Sequence, residues 1–132
     1  MDPASPIRVF LVEDHTIVRE GIRSLLQQYP DIQVVGEASN GDEAIAQVDR
    51  LTPSVIVMDI TMPKMDGVTA TRIIKKVHSE VAVLGLSYLK SGYDVEAIMR
   101  AGAFEVLPKE RAVADLHDAI LKAHRSTQDT LV

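Results

Sequence analysis

Four short apolar runs each deliver a polar side chain at the same end, and helical patterns stand between them. Residues 7–12 run into Glu13-Asp14, residues 55–58 into Asp59, residues 81–86 into Ser87, and residues 104–108 into Lys109. Short, mostly apolar runs suit strands of a parallel sheet, which crossover helices cover on both faces. In one such sheet all the carboxyl ends lie along a single edge, the edge where ligands bind in open α/β folds. Three carboxylates, a hydroxyl and an ammonium then meet there. Packing alone gives no reason for that set.

The intervening segments have helical spacing. A helix over about 15–28 places Val18, Ile22, Leu25 and Tyr29 on one face, and Pro30 and Asp31 end it. A further strand follows over 33–38. Asn40 reads as an N-cap with Glu43 three residues on, opening a helix that turns Ala44, Ile45, Val48 and Leu51 inward. Thr52-Pro53 stops it before a strand over 54–58. After a loop over 60–65, Asp66 caps a helix anchored by Val68, Ile73 and Val77. Ser91 and Asp94 cap a helix carrying Val95, Ile98 and Met99, which ends at Gly102. A final helix over about 112–124 shows Leu116, Ala119, Ile120 and Ala123. The pattern is five βα units, the signature of a parallel sheet.

The 132 residues suffice for one domain with a single sizeable core. The expected division is an N-terminal tail over 1–6, the domain over 7–124, and a C-terminal tail or the start of a linker over 125–132. A net charge of −5 makes this segment a poor match for nucleic acid, whose phosphates need a basic face. No run approaches the ~18 uninterrupted apolar residues of a membrane span. Residues 1–6 lack the basic-then-apolar pattern of a secretory signal, so no membrane partner is expected. The absence of cysteine rules out a disulfide framework and thiolate metal sites, and fits a cytoplasmic location.

The acidic residues set the chemistry. Carboxylates gathered at one sheet edge repel one another and call for a cation. Few, hard, solvent-accessible oxygen ligands suit Mg²⁺, which keeps several waters and accepts phosphate oxygens. Lys109 can neutralise the carboxylates or hold phosphoryl oxygens, as cations do in phosphoryl transfer. Ser87 offers a hydroxyl donor to the same group. His15 reads as a polar residue at a helix start. His117 and His124 lie seven apart on one helix and lack the further ligands of a zinc site.

The segment Asp59-Ile60-Thr61-Met62-Pro63-Lys64-Met65-Asp66-Gly67 resembles the phosphoacceptor loop of two-component response-regulator receiver domains. Val12-Glu13-Asp14-His15 is similar to that family's acidic pair, and Leu86-Ser87 to its Ser/Thr position. Ala101-Gly102-Ala103 resembles its lead-in to the last strand, and Pro108-Lys109 its lysine. The resemblance spans about residues 7–124. It implies a flavodoxin-like (βα)5 fold, a doubly wound five-stranded parallel sheet of order 2-1-3-4-5. It implies that Asp59 accepts a phosphoryl group from a sensor histidine kinase. It also implies Mg²⁺ bound by Asp14, Asp59 and the Thr61 backbone carbonyl, with Glu13 in contact through water. Ser87 and Lys109 would engage the phosphoryl oxygens, and Thr61 and Leu89 would tune hydrolysis. The domain would then be a signalling module that assists its own phosphorylation, not a turnover enzyme.

Three positions depart from the family pattern. Glu13 stands where Asp is more frequent. Val106 takes the place of an aromatic switch residue, with Tyr88 and Phe104 the nearest aromatics and the remaining candidates for a switch surface. Glu110 follows the lysine where relatives often carry proline, so a trans bond is expected there, since a cis non-proline bond costs about 3–4 kcal/mol. Leu25-Leu26, Val35-Gly36-Glu37-Ala38 and Met62-Pro63-Lys64-Met65-Asp66-Gly67 resemble receivers fused to a helix-turn-helix DNA-binding domain. The implied output is transcription regulation through a domain absent from this chain, with a homodimer on phosphorylation. The alternative is a free-standing or pseudo-receiver interaction module. Two other classes are disfavoured by single positions. A haloacid-dehalogenase-type hydrolase wants a second Asp at position 61, which is Thr, and a flavin binder would meet Glu13-Asp14 where its phosphate should sit.

Overall fold

The computed structural model describes residues 5–60, 62, 65–87 and 92–129. Strands and helices alternate as β1 (Ile7–Val12), α1 (Thr16–Gln27), β2 (Ile32–Ala38), α2 (Gly41–Leu51), β3 (Val55–Asp59), α3 (Gly67–Val77), β4 (Ala82–Ser87), α4 (Gly92–Ala101), β5 (Glu105–Pro108) and α5 (Ala112–Asp129). A single 3-10 turn, Lys109–Arg111, joins β5 to α5. The sheet order is β2-β1-β3-β4-β5 and every pair is parallel, which is the flavodoxin-like, doubly wound α/β fold expected from the alternation.

Strand side chains alternate between two cores. Val9, Leu11, Val55, Val57, Leu84 and Leu86 face α1 and α5, where Ile22, Leu26, Leu116 and Ile120 cover them. Phe10, Val12, Ile56, Met58 and Val83 face Ala44, Val48, Ala70, Ile74 and Ile98 of α2, α3 and α4. Each of the larger side chains contributes about 1.5–3 kcal/mol by leaving water. The central strand β3 is buried at every position, so the Asp59 side chain at its end is carried into a dry environment.

Capping residues set where the helices begin and end. The Asn40 side chain accepts the Glu43 N–H at 2.9 Å and donates back to the Glu43 carboxylate at 2.9 Å. Asp66 accepts the Thr69 N–H at 2.7 Å and opens α3. Gly102 ends α4 with φ of +117°, a conformation that favours glycine. The Arg8 guanidinium donates to the carbonyls of Leu51 and Thr52 at 2.7 and 3.3 Å, closing the end of α2.

Helix phase differs from the expectation in two places, α3 and α4. In α3 the buried positions are Gly67, Ala70, Thr71 and Ile74, whereas Ile73 and Val77 are 37% and 71% exposed. Small side chains let this helix lie close against the sheet, which turns the larger ones outward. At α1 the expected Val18, Ile22, Leu25 and Tyr29 all meet the core, and Leu26 joins them fully buried. In α4 Met99 is exposed, and among the described side chains Ile98 is the one fully buried. α5 continues to Asp129, and the hydroxyls of Ser126 and Thr127 donate to the carbonyls of Ala123 and His124. No cis peptide occurs among the described residues, so Lys109–Glu110 is trans. No helix among them is long and apolar enough to cross a membrane. The expected cap through Ser91 and Asp94 lies outside the described residues and side chains.

Candidate functional site

Strand register assembles the site. Val12 of β1 pairs with Met58 of β3, so Glu13 and Asp59 emerge side by side. Asp59 pairs with Leu86 of β4, which puts Ser87 one step beyond it. Ser87 pairs with Pro108 of β5, so Lys109 leaves the sheet at the same edge. Four strand tips from distant parts of the sequence therefore share one end of the sheet.

Glu13 is held there by its N–H, which donates to the Ala38 carbonyl of β2 at 3.0 Å. Asp59 is held by the turn that follows it. The Ile60 N–H donates to the Leu86 carbonyl at 3.1 Å, and the Gly67 N–H donates to the Ile60 carbonyl at 2.8 Å. α3 thus begins directly against the end of β3.

The Lys109 ammonium bridges two strands. Its Nζ lies 2.8 Å from Glu13 Oε1 and 3.3 Å from Asp59 Oδ1, with all three side chains almost wholly buried. The other Glu13 oxygen accepts the His15 N–H at 3.1 Å. His15 Nδ1 stands 3.3 Å from both that oxygen and Asp14 Oδ1. Glu13, Asp14, His15 and Asp59 each offer one ligand atom within 4.8 Å of the others. One ammonium faces three carboxylates, and this surplus of negative charge suits a divalent cation.

The surplus also sets the protonation of the pocket. Burial, the hydrogen bonds to Asp14 and Glu13 and the Glu13 charge push Asp59 up to about 8, although Lys109 pulls the other way. Burial also raises Asp14, but its bonds to Asp59 and Glu13 and the nearby His15 outweigh that and hold it below its ordinary value. Asp59 is therefore the acid that keeps a proton when no cation is bound. Burial disfavours the Lys109 charge, yet Glu13 and Asp59 more than compensate and raise it.

A pH effect follows. Asp59 is raised in the folded chain, so between about pH 4 and 8 the native state binds more protons than the unfolded one. That contribution to stability is full below the ordinary carboxyl range and is lost as pH rises through about 8. Asp59→Asn carries no such loss. In chelator-treated buffer the melting temperature of wild type should fall relative to that of the variant as pH rises from 5 to 8.5. An equal difference at both pH values would mean that Asp59 does not hold the proton.

The structure brings several of the expected site residues to one edge: Asp14 and Asp59 share the acidic cluster, Lys109 pairs with Asp59, and Ser87 stands half-buried at its strand tip. Glu13 Oε1 pairs with Lys109 at 2.8 Å, a contact additional to the metal role that the resemblance implies for it. His15 reads from sequence as a helix-starting residue. It does occupy the N-cap position of α1, but its ring makes no cap bond and turns to the acidic cluster. Val106 packs on the core that faces α2, α3 and α4, while Phe104 is 38% exposed at the surface. Thr61, Tyr88 and Leu89 lie outside the described residues. Sequence reasoning passed over Arg19, whose Nη1 donates to the Glu13 carbonyl at 2.8 Å. An Arg six residues beyond the acidic pair was the only available sign.

Known proteins share this arrangement. The pattern of the response regulator receiver domain matches residues 9–121. Over 119 residues the chain is 39% identical to the transcriptional regulatory protein LiaR of Bacillus subtilis and 41% identical to the response regulator protein VraR of Staphylococcus aureus. These alignments cover 90% of this chain but 56% and 57% of those proteins, so the chain spans little more than half their length. Among solved structures, a two-component response regulator of the LuxR family from Aurantimonas superposes with a TM-score of 0.87 at 34% identity, over 92% of this chain and 87% of that one. The signal receiver domain of the putative response regulator NarL from Mycobacterium tuberculosis gives 0.86 at 27% identity, over 92% and 98%. With the sheet order, the buried acid–lysine bridge and a family match over most of its length, the chain belongs to the response regulator receiver domains.

Proposed function

We propose that this receiver domain takes a phosphoryl group onto Asp59 from the phosphohistidine of a sensor histidine kinase. The observation that carries the reading is the buried Lys109 ammonium set between Glu13 and Asp59, beside an acidic cluster with surplus negative charge. An Asp59 carboxylate oxygen attacks phosphorus, the phosphorus–nitrogen bond of the donor breaks, and the imidazole leaves with its electron pair. The product is an acyl phosphate. Lys109 neutralises the incoming oxygens, and Ser87 donates its hydroxyl to one of them. Asp14 and Asp59, with the Thr61 backbone carbonyl that the resemblance implies, would hold Mg²⁺ beside Glu13 and His15, and the ion would supply positive charge for the transferred group. Thr61 and Leu89 tune the lifetime of the acyl phosphate, as the family resemblance implies for those two positions.

The new charge is then read as a change of surface. With Val106 in the core, the readout falls to Tyr88 and Phe104 rather than to an aromatic at 106. We place the domain in the cytoplasm as the input half of a transcription regulator, dimerising on phosphorylation and contacting DNA only through an output domain outside this chain. The names of its relatives favour that output.

The test is incubation with acetyl phosphate and Mg²⁺, read by intact mass. Wild type should gain one phosphoryl mass. Asp59→Ala should gain none, and a chelator should suppress the gain in wild type. A gain that persists in Asp59→Ala, or none in wild type, would overturn the assignment.

A further inference from the structure

The acidic pair hangs on a peptide that is clamped from outside the pocket. The Glu13 N–H donates to Ala38 at the end of β2, and the Glu13 carbonyl accepts Arg19 Nη1 at 2.8 Å. Arg19 lies in the first turn of α1, where its own N–H donates to the His15 carbonyl at 2.8 Å. Its Nε pairs with Glu37 Oε1 of β2 at 3.3 Å, and the second Glu37 oxygen accepts Arg23 Nη1 at 2.8 Å. The Arg19 side chain is only 19% exposed. The network lines a polar cleft of about 220 Å³ between α1 and the end of β2, outside the acidic cluster.

An exposed ion pair contributes little, about 0–1 kcal/mol, and on that count Arg19–Glu37 would be surface decoration. Two features argue otherwise. One arm of the guanidinium goes to a backbone carbonyl, and that carbonyl belongs to the peptide joining Glu13 to Asp14. Rotation of this peptide would re-aim both carboxylates at once. The second feature is the planar fork, which reaches Glu13 and Glu37 together in a way a lysine ammonium cannot.

We infer that Arg19 is a positioning residue for the metal pocket: its guanidinium fixes the Glu13–Asp14 peptide, and Glu37 of the edge strand fixes the guanidinium. This inference rests on the phosphoacceptor reading above. Partners that orient metal ligands from behind typically change metal affinity by about 10–100-fold when removed.

The experiment is Mg²⁺ titration of the 132-residue chain by calorimetry, with no phosphodonor present, well below each variant's melting temperature. Arg19→Met should weaken Mg²⁺ binding about tenfold, and Arg19→Lys by less. Arg23→Met, which removes a polar partner of Glu37 and no bond to the Glu13 carbonyl, should stay within about threefold of wild type. Arg19→Met combined with Glu37→Gln should be no worse than Arg19→Met alone, because Glu37 acts through Arg19. If Arg19→Met is too unstable to titrate, Arg19→Lys and Glu37→Gln decide by the same measure. Unchanged affinity in the Arg19 variants overturns the inference alone. A wild-type chain that binds no Mg²⁺ overturns both it and the phosphoacceptor reading.

Discussion

Gly67→Ala should cost roughly 3 kcal/mol or more and remove most phosphoryl acceptance, although residue 67 carries no functional group. A Cβ at this position would lie 2.1 Å from the Asp59 carbonyl oxygen, 2.9 Å from the Ile60 Cα and 3.0 Å from the Asp59 carbonyl carbon. All three are backbone atoms, so no side chain can swing aside to make room. Either α3 lifts from the end of β3 or the Asp59 peptide moves. Lifting α3 breaks the 2.8 Å bond from Gly67 N–H to the Ile60 carbonyl and loosens Ala70 and Ile74 from their core. Moving the peptide drags the Asp59 carboxylate away from Lys109. Overpacking against adaptable side chains costs about 1–3 kcal/mol, and a rigid neighbour places this case at or above the upper end. Urea denaturation gives the stability change, and mass-detected phosphorylation gives the functional one. A Gly67→Ala chain as stable as wild type would refute the close approach.

Lys109→Met should be the most damaging replacement within the pocket. It keeps much of the side-chain volume and removes the ammonium that pairs with both buried Glu13 and buried Asp59. Breaking a buried ion pair from one side costs about 3–5 kcal/mol, because the remaining charge is stranded. Proton uptake offers an escape, and Asp59 is already biased toward it. The destabilisation should therefore be largest at pH 8 and shrink toward pH 5. Mg²⁺ at pH 8 should restore part of it by replacing the missing positive charge. Phosphorylation from a small donor should slow by about 10²-fold, the usual scale for removing one preorganised electrostatic partner. Melting curves across pH, with and without Mg²⁺, separate these effects. A loss of stability independent of pH would mean that the ammonium does not compensate the acids.

The particular residues show what sequence could and could not convey. Apolar runs ending in Asp59, Ser87 and Lys109 fix both strand identity and site edge, because parallel strands leave few ways to place their tips. The polar caps at Asn40 and Asp66 are local chemistry and sit where the sequence puts them. The α3 face was misjudged because apolar size is a poor guide where a helix packs tightly through Gly67, Ala70 and Thr71. The Glu13–Lys109 pairing spans 96 positions in the chain and depends on three-dimensional reach, so no local pattern announces it. Arg19 is recognisable only once the Glu13 carbonyl has a direction. Long-range polar partners leave no periodic trace in a sequence, whereas core faces do.

The position of Lys109 has one further consequence. It is the first residue of the short turn that leads into α5, a helix of 18 residues. At 1.5 Å per residue that helix is about 27 Å long, so a tilt of only about 5° at its root swings the far end by about 2 Å. If the proposed phosphorylation places oxygens at Asp59 that compete with Glu13 for the ammonium, the tug would land at the fulcrum of this long arm, and a displacement too small to notice in the pocket would be magnified at its tip.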